Sequence, residues 1–263
     1  MDRRACIAGL AGLALLAGCQ VLQIVEGETQ SAVDMLSAPF KNVKAMTYNV
    51  RAGLGVDGVR DIARAAAAIK AAAPDVVALQ EVDRGTARSG GVDQLAELER
   101  LTGMHGTFGK AADLDGGEHG VAILSRVEPA KVRTLELPGS DEKRILLICE
   151  FPEYGFGSVQ LPSKEEDRLA CAPNLRALVG TEKPFILAGD WNDVPRSPLV
   201  RDLRQSYSIV SGFDATYPAD RPARCVDFIA VSRRHRARFE HVAHEVLPES
   251  TASDHRPVFV KLR

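Results

Sequence analysis

The sequence predicts an α/β domain, and three observations carry that expectation. Short unbroken apolar runs end abruptly in polar residues, as in D-V-V-A-L-Q-E at 75–81 and P-F-I-L-A-G-D-W-N at 184–192, the pattern of strands buried on both faces. A helical pattern lies between the strand-like run at 43–50 and the run at 75–81, giving strand, helix, strand in that order. The 263 residues, 45% hydrophobic and 26% charged, are enough for one large domain with a proper core.

Composition also excludes. A net charge of −2 leaves no basic excess of the kind that drives general nucleic-acid binding. The six histidines are scattered, with no HExxH and no paired Cys-x-x-Cys, so a zinc site is not expected.

The chain opens outside the domain. Arg3 and Arg4 precede an apolar stretch from Ala5 to Ala17 that is too short to span a bilayer and has the charged start of a secretory signal. It closes on Leu16-Ala17-Gly18-Cys19, which resembles the lipobox of bacterial lipoproteins. That resemblance implies a leader over residues 1–18, lipidation of Cys19, and several acyl chains as a firm anchor. An ordinary cleaved signal or a buried N-terminal helix is the alternative. Gln20 stands where an inner-membrane retention signal would place Asp, which favours the outer membrane. Residues 19–40 read as a lipidated tether and 41–263 as the domain. Losing Asp2, Arg3 and Arg4 with the leader makes the chain one charge more acidic. Cys149, Cys171 and Cys225 then remain, allowing one intrachain disulfide at most, with Cys149 and Cys225 read as small buried hydrophobes.

Within the domain, 43–50 is a strand followed by a Gly-rich turn. Asp57 can cap a helix from about 59 to 73, with Ile62, Ala65, Ala66, Ile69 and Ala73 on its apolar stripe and Pro74 as the stop. The strand at 75–81 follows. Asp93 opens a short helix carrying Leu95, Leu98 and Leu101, ended by Gly103. A third strand covers 119–126, and 144–151 with 157–161 form a hairpin. Ser163 and Glu166 make a capping box for a helix toward Val179, which Pro173 should kink. Ser197 and Pro198 start a short helix, 226–232 is a strand, and 257–262 is the last strand of a hairpin.

Polar groups gather at strand ends. On an extended chain Asp190 and Asn192 point the same way, presenting an anion and a neutral donor side by side, although an Asx-type turn would use the same residues. One group can take a proton from water and the other can hold a negative oxygen. Glu81 ends the second strand with another carboxylate, and Asn49 ends the first with a carboxamide.

The motifs T-Y-N-V, L-Q-E-V-D-R, H-G-V-A-I-L-S-R, L-A-G-D-W-N, C-V-D-F-I and S-D-H-R-P-V, in this order, resemble the endonuclease/exonuclease/phosphatase superfamily from Val43 to Arg263. The resemblance implies a DNase I-like four-layer α/β sandwich, two mixed sheets flanked by helices. It implies Mg²⁺ as cofactor, with Mn²⁺ as a substitute, held by Glu81 with Asn49 and with Asp254 as a further carboxylate. By the same resemblance Asp190 deprotonates the attacking water, Asn192 donates to a phosphoryl oxygen, and Asp227 holds His255 as imidazolium against the phosphate. Asn49 and Gln160 would contact substrate. His119 stands where the family commonly has Tyr.

The chief departure is Val159-Gln160-Leu161, where the family usually has Thr-His-Leu. A neutral amide replaces a charged donor there, a loss of about ten- to thirtyfold in rate that Gln160→His should restore. The expected protein is a monomeric, lipid-anchored phosphodiesterase of the cell envelope, facing periplasm or exterior and acting on a phosphate ester such as a lipid headgroup. A surface nuclease and a weakened phosphate-binding module of the same fold are the rival readings. The basic run from Arg233 to Arg238 follows a strand that starts at the site, so it is read as a solvated turn or a lipid-facing patch at the opposite end.

Overall fold

A computed structural model describes residues 42–263 apart from 142, 181, 240 and 241. The expected leader, Cys19 and the tether lie outside the described residues. Twelve strands form two six-stranded sheets. The first runs β11(Val242–Val246), β12(Val258–Leu262), β1(Val43–Asn49), β2(Val76–Arg84), β4(Gly117–Ser125), β3(His105–Leu114). The second runs β5(Lys131–Leu137), β6(Arg144–Glu150), β7(Gly155–Gln160), β8(Phe185–Asp190), β10(Asp227–Ser232), β9(Tyr207–Ile209). Each is antiparallel except for one central parallel pair, β1–β2 in the first and β7–β8 in the second. The sheets face each other, β2 against β7 and β1 against β8.

Helices close the outer faces. α1(Ile62–Ala72) and α2(Gln94–Thr102) lay Ile62, Ala65, Ile69, Leu95 and Leu98 on Met46, Tyr48, Val77 and Leu79 of the first sheet. On the second sheet, α3(Glu165–Ala177) and α4(Pro198–Leu203) lay Cys171, Leu175, Leu199 and Leu203 on Leu146, Val159, Leu187 and Phe228. The result is the four-layer sandwich that the sequence predicts. α1 and α3 are also the crossovers of the two parallel pairs, since a parallel connection needs a helix-length return.

Between the sheets the core is not wholly apolar. Thr47 donates to Gln80 at 3.2 Å, Gln80 to Ser158 at 3.3 Å, and Ser158 to the Leu79 carbonyl at 3.1 Å. This buried seam ties β1 and β2 to β7 just beneath their carboxyl ends. Gly189 serves the same region, because a Cβ there would lie 1.9 Å from the Val159 carbonyl oxygen on the neighbouring strand.

Several local expectations need correction. Asp61, not Asp57, caps α1 by accepting from the Ala63 amide, while Asp57 accepts from Val59 and pairs with Arg64. The Ser163–Glu166 capping box does not form. α3 starts after Lys164, because Arg168 folds back onto the Pro162 and Ser163 carbonyls and three carboxylates, Glu165, Glu166 and Asp167, meet the helix dipole. α3 is one continuous helix, with Pro173 on its exposed face, where the unpaired carbonyl four residues earlier can be hydrated. β3 and β5 are strands that sequence reasoning missed. Cys149, Cys171 and Cys225 are buried free thiols, and burial pushes them up to about 11, 11 and 12.

Candidate active site

The two parallel pairs bring their carboxyl ends to one edge of the sandwich, and polar groups collect there. β1 ends on Asn49, β7 on Gln160 and β8 on Asp190, while antiparallel β10 begins with Asp227 directly opposite Asp190. Glu81 reaches the same edge through a break in β2: the register with β4 shifts between Leu79 and Val82, and Glu81 has φ 56°. A bulge of this kind re-aims one side chain, and strained backbone is held only where its surroundings fix it. Arg51 and Ala52, in the single 3-10 turn after β1, and Asn192, in the loop after β8, also have positive φ.

Two neutral amides clamp two carboxylates. Asn49 Nδ2 donates to Glu81 Oε1 at 2.9 Å and to Asp190 Oδ2 at 3.2 Å. Gln160 Nε2 donates to the same two atoms at 2.8 and 3.4 Å. The amides thus bridge the two sheets and hold both anions in place. Burial works against ionisation of Glu81, but the amide bonds and the field of His255 outweigh it and hold the carboxyl below its ordinary value. Asp190 is fully buried, and desolvation pushes it up to about 6 despite the pull of His255.

His255 closes the opposite side. Its Nδ1 donates to Asp227 Oδ2 at 2.9 Å, and its Nε2 lies 4.0 Å from Asp190 Oδ2. Burial disfavours the imidazolium, yet Asp227, with Asp190 and Asp254 beyond it, raises the ring to about 10. The ring also lies against Tyr217, with centroids 4.9 Å apart. Asp254 sits at the mouth, paired with Arg51 Nε at 3.3 Å, and its neighbour Ser253 donates to the Asn49 carbonyl.

Asn49, Glu81, Gln160, Asp190, Asp227, Asp254 and His255 are therefore brought to one cleft. Asn192 joins it differently from the expectation of an extended chain. Its left-handed backbone puts its N–H on Asp190 Oδ1 at 2.9 Å, an Asx turn, and Nδ2 spends one hydrogen on the Leu161 carbonyl at 2.8 Å. Nδ2 carries a second hydrogen besides the one bonded to Leu161.

The model of the endonuclease/exonuclease/phosphatase family matches residues 46–255. The chain belongs to this family. Among solved structures, an endonuclease/exonuclease/phosphatase from Beutenbergia cavernae is 25% identical with a TM-score of 0.68, over 84% of this chain and 71% of that one. A family protein from Bacteroides thetaiotaomicron is 20% identical with a TM-score of 0.67, over 84% and 95% of the two chains. A mannosyl-6-phosphatase from the same organism is 20% identical with a TM-score of 0.65, over 84% and 99%. No curated protein sequence matches the chain.

In this member of the endonuclease/exonuclease/phosphatase family the donor set fits a hard cation. Both amides bond Glu81 through Oε1, and neither takes Oε2. Four carboxylates, on Glu81, Asp190, Asp227 and Asp254, stand against the positive His255 and Arg51. Asp190, Asp227 and His255 also place donor atoms within 4.8 Å of one another. A ring held as imidazolium has no lone pair for a metal, so Glu81 is the better anchor.

Sequence reasoning missed two groups at this edge. Arg144 Nη1, from the start of β6, donates to Gln160 Oε1 at 2.5 Å. Buried Asp83 is gripped by Arg88 at 2.6 and 2.8 Å and bonds His119 Nδ1 at 2.7 Å. The pairing of Gln160 with Arg144 depends on how β6 and β7 align, for which the sequence has no local signal. Asp83 and His119 do face each other in the β2–β4 register, yet only the third partner, Arg88, reveals the cluster.

Proposed function

We propose that the protein is a Mg²⁺-dependent phosphoesterase that hydrolyses a phosphodiester by in-line attack of water. The observation that carries this reading is the placing of Asp190, a desolvated carboxylate raised to about 6, opposite a paired imidazolium 4.0 Å away. Such a carboxylate is poised to take a proton from water near neutral pH. His255 and the remaining Asn192 hydrogen donate to phosphoryl oxygens as negative charge builds on them. Asp227 keeps the ring charged and oriented. Glu81 with Asn49, and Asp254 from the mouth, would hold Mg²⁺, which when bound polarises the phosphoryl group as a Lewis acid.

The four carboxylates favour a diester, which carries one negative charge, over a monoester dianion. The lipobox at Cys19 supports an anchored, extracytoplasmic protein whose substrate is a lipid headgroup or small ester of the envelope. Nucleic acid is disfavoured by the chain's acidic balance. The test is turnover by the soluble domain, with and without Mg²⁺, of bis-p-nitrophenyl phosphate, p-nitrophenyl phosphate, mannose 6-phosphate, glycerophosphodiesters and DNA. Mg²⁺-dependent diester cleavage is expected; preference for either monoester overturns the diester assignment, and no cleavage of any of them favours the phosphate-binding module.

A further inference from the structure

Gln160 is a neutral amide in charged surroundings. Its side chain lies between opposite charges: Oε1 accepts from the Arg144 guanidinium at 2.5 Å, and Nε2 donates to Glu81 at 2.8 Å and to Asp190 at 3.4 Å. Gln160 is buried and Arg144 half-buried, so water only partly reaches the contact between the guanidinium and the amide. Hydrogen bonds in series polarise one another, and a guanidinium on the oxygen makes the N–H a stronger donor.

We propose that Arg144 is a positioning residue that supplies the cleft, through the Gln160 amide, with positive charge for the phosphoryl group. The amide acts as a spacer. It keeps the guanidinium out of contact with Glu81 and Asp190, where a direct ion pair would neutralise the base and occupy the carboxylate that suits a cation. The positive field still reaches the place where negative charge develops. The inference rests on the phosphoesterase reading for its effect on rate, but its effect on cation binding does not.

Two signs follow, and they are opposite. Arg144→Met removes positive charge from behind the Gln160 amide that bonds Glu81 and Asp190, so the protein should bind Mn²⁺ severalfold more tightly. The same change should slow Mg²⁺-dependent cleavage of bis-p-nitrophenyl phosphate by about tenfold in kcat, the loss of one charge-assisted contact. Arg144→Lys keeps the charge and should recover most of both effects, whereas a merely structural role would loosen metal binding in both variants. If Arg144 acts through the amide, Arg144→Met should cost less than about twofold in a Gln160→Ala background. Gln160→His alone should gain little, because Arg144 disfavours an adjacent imidazolium, and should gain more when combined with Arg144→Met.

The experiment is calorimetric titration of Mn²⁺ into the soluble domain, followed by kinetics of the parent and these variants. Tighter Mn²⁺ binding by Arg144→Met supports the proposal even if the parent turns over nothing, an outcome that sinks the phosphoesterase reading alone. Unchanged or weaker Mn²⁺ binding overturns the proposal, as does an equal kinetic cost of Arg144→Met with and without Gln160. Absence of Mn²⁺ binding by the parent overturns both.

Discussion

The Nε2 atom of His255 stands 4.0 Å from Oδ2 of Asp190, too far for a hydrogen bond, with Nδ1 of the ring already committed to Asp227. A donor and a proton acceptor thus face each other without being spent on each other. Both can turn to a ligand that enters between them.

Asp190→Asn keeps the size of the side chain and removes its ability to take a proton. Turnover should fall by about 10²–10⁴, the usual worth of a general base, with substrate KM little changed. Steady-state kinetics with Mg²⁺ checks this. A loss under threefold would move the base elsewhere.

Turnover should depend on pH as a bell. Asp190, raised to about 6 by burial, must be ionised, so activity is lost as pH falls through that value. His255, raised to about 10 against its burial by Asp227, must stay protonated, so activity falls as pH rises toward it. A bound cation favours the ionised carboxylate, and raising Mg²⁺ should shift the acid limb downward. Asp227→Asn withdraws the charge that supports the imidazolium, so the alkaline limb should move down as well. An alkaline limb that stays in place in that variant would separate His255 from the rate.

Glu81 is the expected anchor for the cation. Mg²⁺ should raise the unfolding midpoint of the parent, because a ligand at a hundredfold excess over its Kd stabilises by about 2.7 kcal/mol. Glu81→Gln should lose that response and need far more Mg²⁺ for turnover. Calorimetric scans of both proteins in chelator and in Mg²⁺ decide it, with equal shifts counting against Glu81.

For the anchor, Cys19→Ser should leave an unprocessed, unlipidated precursor, since no other group in that tetrapeptide can form a thioether. Mass spectrometry of the parent should find a mature chain that begins at a lipidated Cys19. A mature parent that starts elsewhere and carries no lipid would end this proposal.

The elements legible in the sequence were those whose burial leaves a mark. β2, β8 and β10 are buried almost throughout and read as apolar runs, and Asp93, Gly103 and Ser197 mark helix ends with residues suited to their backbone geometry. β5 is almost wholly exposed and β3 only partly buried, each at a sheet edge, so neither carries an apolar run to betray it. The site was legible as far as strand ends point, which located Asn49, Glu81 and Asp190, while Gln160, Asp227, Asp254 and His255 were reached only through the resemblance of their motifs. At Asn192 the alternative reading, an Asx turn, is the one the structure shows, because its left-handed backbone breaks the alternation that holds along a strand. Arg144 escaped because its partner is a neighbour only across two paired strands.

β12 lies between β11 and β1, and Val43 pairs with Leu262. The strand that delivers Asn49 therefore waits for a partner made about two hundred residues later. Contacts of such separation form slowly, because a long loop must close before they repay its entropy. While the chain emerges from the ribosome, the sheet that carries Asn49 and Glu81 stays open along one side of β1. If the chain is exported as proposed, that delay leaves time for threading it unfolded, and the cleft comes into being only where both halves of the chain are present together.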